Sequence, residues 1–216
     1  MMKYLLLTFL GFTLWGCGTK AKKETHVTLQ VAEMKIDSIA LESIFLDSSL
    51  TKISSLEASS LWGFLPDTSE YFELLNSFRR LDSLKSAGKY ENYISSLDIG
   101  MYKDITGILL KDISVSEAKT LRVWGINYSS YEACPYFDGK VLFISTIENN
   151  KTTACVPFAY IKTSADAPFY ENFSTSSTLK PNGKVLINET HEAGGIDEKD
   201  KAYIEKRNAK IEYSVF

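Results

Sequence analysis

Apolar side chains recur at helical spacing in the first half of the chain. The clearest case follows Pro66, where Asp67 can cap a helix and Glu70 stands three positions later, as in a capping box. The apolar positions that follow lie three or four residues apart: Tyr71, Leu74, Leu75, Phe78, Leu81 and Leu84. This pattern predicts a helix with one buried face, ended by Gly88.

A second helix is predicted over residues 92–110. Its inward positions are Tyr93, Ile94, Leu97, Met101, Ile105, Ile108 and Leu109. Gly100 and Gly107 weaken this prediction, because each glycine in a helix costs about 1 kcal/mol relative to alanine. A bend or break near Gly100 is therefore compatible with the pattern.

Residues 27–62 give a less regular signal. Residues 36–62 are interpreted as helical from the spacing of Leu46, Leu50, Ile53 and Leu56. The many serines there oppose a helix, because their hydroxyls compete for backbone hydrogen bonds. Before this stretch, apolar and polar positions alternate over residues 27–31, which indicates a strand.

After residue 115, β-branched and aromatic residues dominate short runs. These runs predict strands near residues 120–128, 140–148, 153–162, 169–174, 184–189 and 201–215. Turns are predicted between or beside them at Asp138-Gly139, Asn149-Asn150-Lys151 and Asn182-Gly183. The expected fold class is α+β: a mainly helical region, 27–115, packed on an antiparallel β-meander of about six strands, 116–216. A helical domain followed by a small barrel or sandwich stays open as an alternative.

The N-terminus has the layout of a secretory signal. Lys3 precedes a mostly apolar stretch, residues 4–15, which ends at Gly16 and Cys17. As a helix this stretch spans about 18 Å, whereas the hydrocarbon core of a bilayer is about 30 Å thick. We therefore expect an export signal and no permanent membrane span here.

The segment Leu14-Trp15-Gly16-Cys17 resembles the lipobox of bacterial lipoproteins. The resemblance implies that residues 1–16 are a signal peptide and that Cys17 carries the lipid of a membrane anchor. Gly18 after the cysteine implies sorting to the outer membrane, and residues 17–26 then form a polar, flexible tether. The alternative is an ordinary secretory signal with an incidental cysteine.

Two further cysteines, Cys134 and Cys155, would lie in an oxidising compartment after export. We expect a disulfide between them, which would stabilise the fold by about 3 kcal/mol through closure of a loop of about 20 residues. Two buried free thiols or two zinc ligands are the alternatives.

Charge and residue types restrict the chemistry. The net charge of −3 offers no basic footprint for nucleic acid. The two histidines, His26 beside the tether and His191 in a predicted polar loop, leave little from which to build a metal site, so we expect no metal and no cofactor. No set of catalytic residues stands out, and a hydrolase using His191 is a third hypothesis behind two binding functions.

Aromatic residues are dense after Trp124, and part of this density has no strand periodicity. The candidate binding loop consists of Trp124, Tyr128, Tyr131, Tyr136 and Phe137. Aromatic faces bury large area at low entropic cost, which suits a glycan or a partner protein, although a role in the core is the alternative. Separately, Asp37-Ser38-Ile39 resembles a bacterial O-glycosylation motif, which makes Ser38 a candidate modification site.

The leading hypothesis is therefore a lipoprotein of the outer membrane, facing the periplasm or the exterior, that acts as a non-enzymatic binding or accessory subunit. Its expected partners are membrane lipid through Cys17 and an envelope protein. A lipoprotein that binds or cleaves glycans through the aromatic loop is the alternative.

Overall fold

The computed structural model describes residues 31–63, 69–96, 102–130 and 136–216. In chain order, the elements in these ranges are β1 (Met34–Ile36), α1 (Ser38–Leu46), β2 (Thr51–Ile53), α2 (Ser55–Leu61), α3 (Ser69–Ser86), α4 (Tyr90–Ser95), β3 (Tyr102–Ser114), β4 (Lys119–Ser130), β5 (Tyr136–Glu148), β6 (Lys151–Asp166), β7 (Phe169–Leu179), β8 (Lys184–Ile196) and β9 (Ala202–Ser214). Long strands thus follow four helices of 6 to 18 residues.

All described strands belong to one antiparallel sheet. Strands β2 to β9 follow one another in the order in which they occur in the chain, and β1 pairs with β7. Short turns make this meander possible: Asn149 and Asn150, between β5 and β6, have φ angles of 49° and 64°. Asparagine tolerates this left-handed conformation, and the turn that the sequence predicts here is confirmed.

The fold class expected from the sequence is wrong. The described part of the chain is mostly β, with 57% of its residues in strands and a nine-stranded sheet, where the sequence predicted N-terminal helices on about six strands. The largest error lies in residues 92–110, where helix α4 ends at Ser95 and β3 begins at Tyr102. The predicted turn at Asp138-Gly139 is also wrong, because both residues lie inside β5.

The packing around β3 explains the error at residues 92–110. A side chain at Gly107 would lie 2.8 Å from Ile53 Cγ1 on β2 and 3.2 Å from the Phe78 ring on α3. Side chains of β2 and α3 therefore approach this strand closely. Ile105 and Ile108 lie on opposite faces of β3, and both are buried. Apolar residues on both faces of a strand produce a run that imitates helical spacing.

Other elements were read correctly. The helix after Pro66 is confirmed as α3, which buries Tyr71, Leu74, Leu75, Phe78 and Leu81, and Gly88 follows it with a φ of 66°. Its predicted cap, Asp67, lies outside the described residues. The six predicted strands correspond to β4 through β9; the first five are longer than predicted, and β9 lies within the predicted range 201–215. Residues 36–62 are helical only in part, since β2 separates α1 from α2.

The sheet has a front face and a back face. We call the face of β4 to β6 that carries Trp124, Phe143 and Tyr160 the front face. Helices α2, α3 and α4 cover part of it, and Leu74, Phe78 and Tyr93 belong to the same buried cluster. The back face carries Val123, Leu142 and Ile144 of a second cluster.

The second cluster lies between two layers of strands. Strand β7 pairs with β6 from Phe169 to Ser174 and then separates from it, and the Thr175 hydroxyl bonds the backbone of Tyr160 at the point of separation. Beyond it, Leu179 of β7 and Ile187 of β8 pack with the back-face residues of β4 to β6. One end of the meander is therefore a sandwich, whereas the other end remains a single sheet.

We predict that Gly125→Ala destabilises the fold. An alanine Cβ at this position on β4 would lie 2.7 Å from the Val141 carbonyl oxygen and 2.9 Å from Phe45 Cζ on α1. Overpacking of this kind should lower the free energy of unfolding by about 1–3 kcal/mol, measured by urea denaturation.

Gly63→Ala is the matched control, because nothing lies within 4 Å of its added Cβ. It should change the free energy of unfolding by less than about 0.5 kcal/mol. Equal unfolding midpoints for the two variants would contradict the packing of α1 on β4.

Candidate functional site

No helix of the described ranges covers the front face at the single-sheet end, where its side chains line a groove. The inner part is a cavity of about 400 Å³ lined by Tyr102, Tyr128, Phe137, Lys162, Thr163, Ser164, Glu171 and Phe173. The outer part is a cavity of about 390 Å³ lined by Tyr136, Phe137, Ser164, Ala165, Asp166, Phe169, Tyr170, Glu171, Ala193, Gly194 and Tyr203. The two cavities share Phe137, Ser164 and Glu171, and together we call them the front groove.

Strand register explains why these side chains meet. Paired residues share a face of a sheet, and alternate residues of a strand return to it. Three cross-strand rows result: Tyr128, Gly139, Lys162, Phe173 and His191; then Tyr102, Phe137, Ser164, Glu171 and Ala193; then Asp166, Phe169, Gly195 and Tyr203. All three rows lie on the front face.

The inner cavity has an aromatic wall on one side. The Tyr102 ring contacts Tyr128 and Phe137 edge to face, with ring centroids 5.7 Å and 5.0 Å away. Gly139 makes room for this wall, because a Cβ there would lie 2.5 Å from the Tyr128 ring. Glycine is thus required inside β5 by a close approach.

The opposite side of the inner cavity holds a cation over aromatic faces. Lys162 Nζ lies 5.0 Å from the ring centroid of Tyr160, 5.1 Å from that of Phe173 and 5.9 Å from that of Tyr71. These distances fall within the range of cation–π attraction. The ammonium group therefore contributes positive charge to the inner cavity.

His191 borders the middle of the groove. Its ring stacks on Phe173 with centroids 4.2 Å apart and an interplanar angle of 2°. His191 Nε2 lies 3.6 Å from Glu171 Oε1, too long for a hydrogen bond, and it has no hydrogen-bond partner. Glu171 itself is about half exposed, with 53% of its side-chain surface accessible.

Tyr160 and Glu189 lie beneath this region. The Tyr160 hydroxyl donates a short hydrogen bond to the Glu189 carboxylate. Burial, and then the neighbouring carboxylate, raise the pKa of Tyr160 far above its usual value. The phenol thus remains protonated and acts as a fixed donor that holds β6 to β8.

The outer cavity is bordered by exposed rings. Phe169 is 50% exposed and Tyr203 is 38% exposed. The Phe169 ring lies over Gly195, where an added Cβ would come within 2.4 Å of it. The glycine therefore lets this ring lie against the strand instead of projecting from it.

The structure separates the five residues of the candidate binding loop. Trp124 is fully buried and donates its indole N–H to Ser145 at 2.8 Å, so it belongs to the core. Tyr128 is also buried, although its ring lines the inner cavity. Phe137 lines both cavities, and Tyr136 lines the outer one. Tyr131 lies outside the described residues.

Two other candidate residues, His191 and Ser38, lie in regular secondary structure. His191, expected in a solvated loop, lies in β8 and is mostly covered by its neighbours. Ser38 is the first residue of α1, where Asp37 caps the helix by accepting from the Ala40 N–H at 2.8 Å. The aspartate of the O-glycosylation motif therefore has a structural role as well.

Of the three cysteines, only Cys155 lies in the part of the chain that the structure describes. Cys17 and Cys134 lie outside the described residues, so the lipidation and the disulfide stay predictions. Cys155 is fully buried on the front side of β6, and this burial raises the pKa of its thiol to about 12.

Sequence analysis missed the residues that β7 to β9 contribute to the groove. Phe173 and Tyr203 carry no motif, and their side chains reach the front face only through strand register. A usable signal was the Gly194-Gly195 pair, which lies within β8. Glycine inside a strand often marks a close approach, here of the Phe169 and Tyr170 rings.

The described ranges contain neither a candidate metal site nor a helix that could cross a membrane. No group of three or more histidine, cysteine, aspartate or glutamate side chains there is arranged to hold a metal ion. None of the helices in the same ranges combines the length and the hydropathy that a membrane crossing requires.

We predict that the Cys155 thiol is unreactive in the folded protein. In a Cys17→Ala, Cys134→Ser variant it is the remaining thiol of three. With a pKa of about 12, only about one molecule in ten thousand carries a thiolate at pH 8. Iodoacetamide should therefore label this variant in urea but not in buffer, as measured by mass spectrometry.

The same pKa gives a sign for the dependence on pH. The folded pKa is raised above the unfolded value of about 8.5, so the contribution of Cys155 to stability is present below that value and is lost as pH rises toward 12. Rapid labelling of the folded variant at pH 8 would contradict the buried position.

No family model, no curated protein and no solved structure matches the chain. The geometry of the front groove and the sequence around Cys17 therefore carry the functional argument.

Proposed function

We propose that this chain is an exported lipoprotein, anchored to the outer membrane through lipid on Cys17, that acts as a binding or accessory subunit. The front groove is its recognition surface. The lipobox-like segment before Cys17 supports the anchor. The observation that carries the binding role is the front groove, which no described helix covers and at whose outer end Phe169 and Tyr203 are 50% and 38% exposed.

The groove has the physical properties of a recognition surface. Rigid rings supply contact area with little loss of side-chain entropy, and they dominate the energetics of most protein interfaces. Polar groups lie between the rings, with Ser164 and Glu171 shared by both cavities. Such groups orient a ligand and contribute specificity.

Anchoring would make a modest affinity sufficient. From Cys17 to Val31, the first described residue, the chain has 14 residue steps, which reach about 50 Å at full extension. The folded part would thus stay in a thin layer beside the membrane. Confinement raises its effective concentration toward other membrane proteins.

A second candidate function, glycan binding, is favoured by one feature of the groove. Aromatic rings that could stack on sugar faces alternate with the Ser164 hydroxyl and with the carboxylates of Asp166 and Glu171. An array of cell-wall and polysaccharide fragments tests this candidate. Binding that Tyr203→Ser abolishes would favour it over a protein partner.

We predict that Cys17→Ala releases the protein from the membrane. Without the thiol no lipid can be attached, so the variant should move to the soluble fraction on cell fractionation. Mass spectrometry of the N-terminal peptide should show acyl chains on the wild type and none on the Cys17→Ala variant. Cys134→Ser is the control and should remain membrane-bound. Membrane retention of the Cys17→Ala variant would contradict the anchor.

We also predict that Tyr203→Ser reduces partner capture at least fivefold when the lipidated protein is purified from native membranes in mild detergent. The substitution removes an aromatic ring from the outer cavity. Quantitative mass spectrometry of co-purifying proteins measures the effect.

The neighbouring substitution, Ile204→Ser, is the matched control. Ile204 is 66% exposed on the same edge strand, but alternation directs it to the opposite face. It should leave capture unchanged. Equal effects of the two substitutions would argue against the front groove as the recognition surface.

A further inference from the structure

We infer that the outward side of helix α1 rests on the lipid bilayer to which Cys17 is anchored. The inference rests on the proposed function and adds a second membrane contact to the lipid. Apolar residues lie on every side of this nine-residue helix: Ile39, Ala40, Leu41, Ile44, Phe45 and Leu46. A helix that is apolar all round is normally covered on all sides.

The packing of α1 covers only its inner side. Leu41 is fully buried, and the Phe45 ring packs on β4, where an added Cβ at Gly125 would lie 2.9 Å from it. Ile39 and Leu46, by contrast, are 79% and 80% exposed. They are seven residues apart, which is about two turns, so they lie on the same side of the helix. The outward side of α1 is therefore an apolar surface that the described part of the chain leaves in solvent.

The tether joins the folded part beside α1. Val31, the first described residue, is 2% exposed and belongs to the same buried cluster as Leu41 of α1. The 14 residue steps from Cys17 to Val31 reach about 50 Å at full extension. The lipid on Cys17 therefore keeps the bilayer within reach of α1.

The contact that α1 offers is apolar and not electrostatic. The helix contains no lysine or arginine, and the Glu42 carboxylate is paired with Lys140 Nζ at 3.1 Å. At the two ends of the helix, the carboxylates of Asp37 and Asp47 each accept a backbone N–H. Anionic headgroups gain nothing from these groups, whereas the acyl boundary of a bilayer can take up the two exposed aliphatic side chains.

A bilayer suits this surface better than a partner protein does. A stable protein interface buries about 800 Å² on each partner and involves about 20–30 residues a side. Two aliphatic side chains offer much less than that. They suffice for a bilayer contact, because the lipid already keeps the chain at the membrane and the side chains have only to orient it.

Contact through α1 would turn the front groove away from the bilayer. Lys140, the partner of Glu42, follows Gly139, which belongs to a front-face row beside the inner cavity. Because side chains alternate along β5, Lys140 lies on the back face. Helix α1 is thus behind the inner cavity, with the sheet between them. A partner can reach the groove while the back of the molecule rests on the bilayer.

The test uses the lipidated protein in vesicles of phosphatidylethanolamine and phosphatidylcholine. In a Cys134→Ser background, Ser43→Cys carries a fluorescent NBD label on the outward side of α1, four residues after Ile39. The matched control, Ser60→Cys, carries it on α2 at the front, four residues after Leu56, which is 76% exposed. We expect doxyl-labelled lipids to quench the label at position 43 at least threefold more than at position 60. Equal quenching at the two positions would overturn the inference.

Substitutions on α1 test whether the two aliphatic side chains make the contact. Ile39→Ser combined with Leu46→Ser should lower the quenching at position 43 to the level of position 60, whereas Leu56→Ser should leave it unchanged. The fold should be retained, because both side chains are mostly exposed. Addition of phosphatidylglycerol should not increase the quenching. An increase with this anionic lipid, or unchanged quenching in the folded double variant, would overturn the inference.

Failure of the inference can be told apart from failure of the proposed function. If the wild-type protein does not float with the vesicles, the Cys17 anchor is wrong and the inference falls with it. If the protein floats but the label at position 43 is not quenched, the anchor stands and the α1 contact is overturned. A blue shift of this label in the Cys17→Ala chain, growing with protein concentration and without vesicles, would show that a second copy covers α1, which also overturns the inference.

Discussion

The hydrogen bond from the Trp124 indole to the Ser145 hydroxyl lies where the helical layer meets the sheet. Ser145 in turn donates to the carbonyl of Leu61, the last residue of α2, at 2.8 Å. Trp62, the next residue, packs on Trp124 and Phe143 with ring centroids 5.8 Å and 5.0 Å away. This buried link fixes where the helices sit on the front face. No described helix covers the part of that face beyond them, and it is there that the groove forms.

Sequence analysis recovered the elements whose burial is one-sided or whose turns have strict requirements. Helix α3 has one apolar face, and the turn at Asn149 and Asn150 needs residues that tolerate positive φ, so both could be predicted. Strand β3 could not, because packing covers it on both sides and its periodicity is lost. Gly107 was a signal against the predicted helix. Glycine destabilises a helix, and in β3 its lack of a side chain allows Ile53 to approach closely.

The sequence predicted only part of the candidate site, because the groove depends on strand register as well as on local composition. Composition identified aromatic residues near Phe137, but it could not separate Trp124, which lies in the core, from residues that reach the groove. Seven of the 16 residues that line the groove come from β7 to β9, and Phe173 and Tyr203 meet the others through register across four strand pairs. Pairing over such sequence distances depends on the whole sheet, and no local pattern contains it.

The central claim is that the front groove is a recognition surface, and site-specific photo-crosslinking in living cells tests it most directly. A benzophenone side chain would replace Phe169 on the front face or Ile196, which alternation places on the opposite face at the same end of the sheet. The account predicts one dominant crosslinked product from position 169 and none from position 196. Crosslinks of equal yield from both positions, or from position 196 alone, would contradict it.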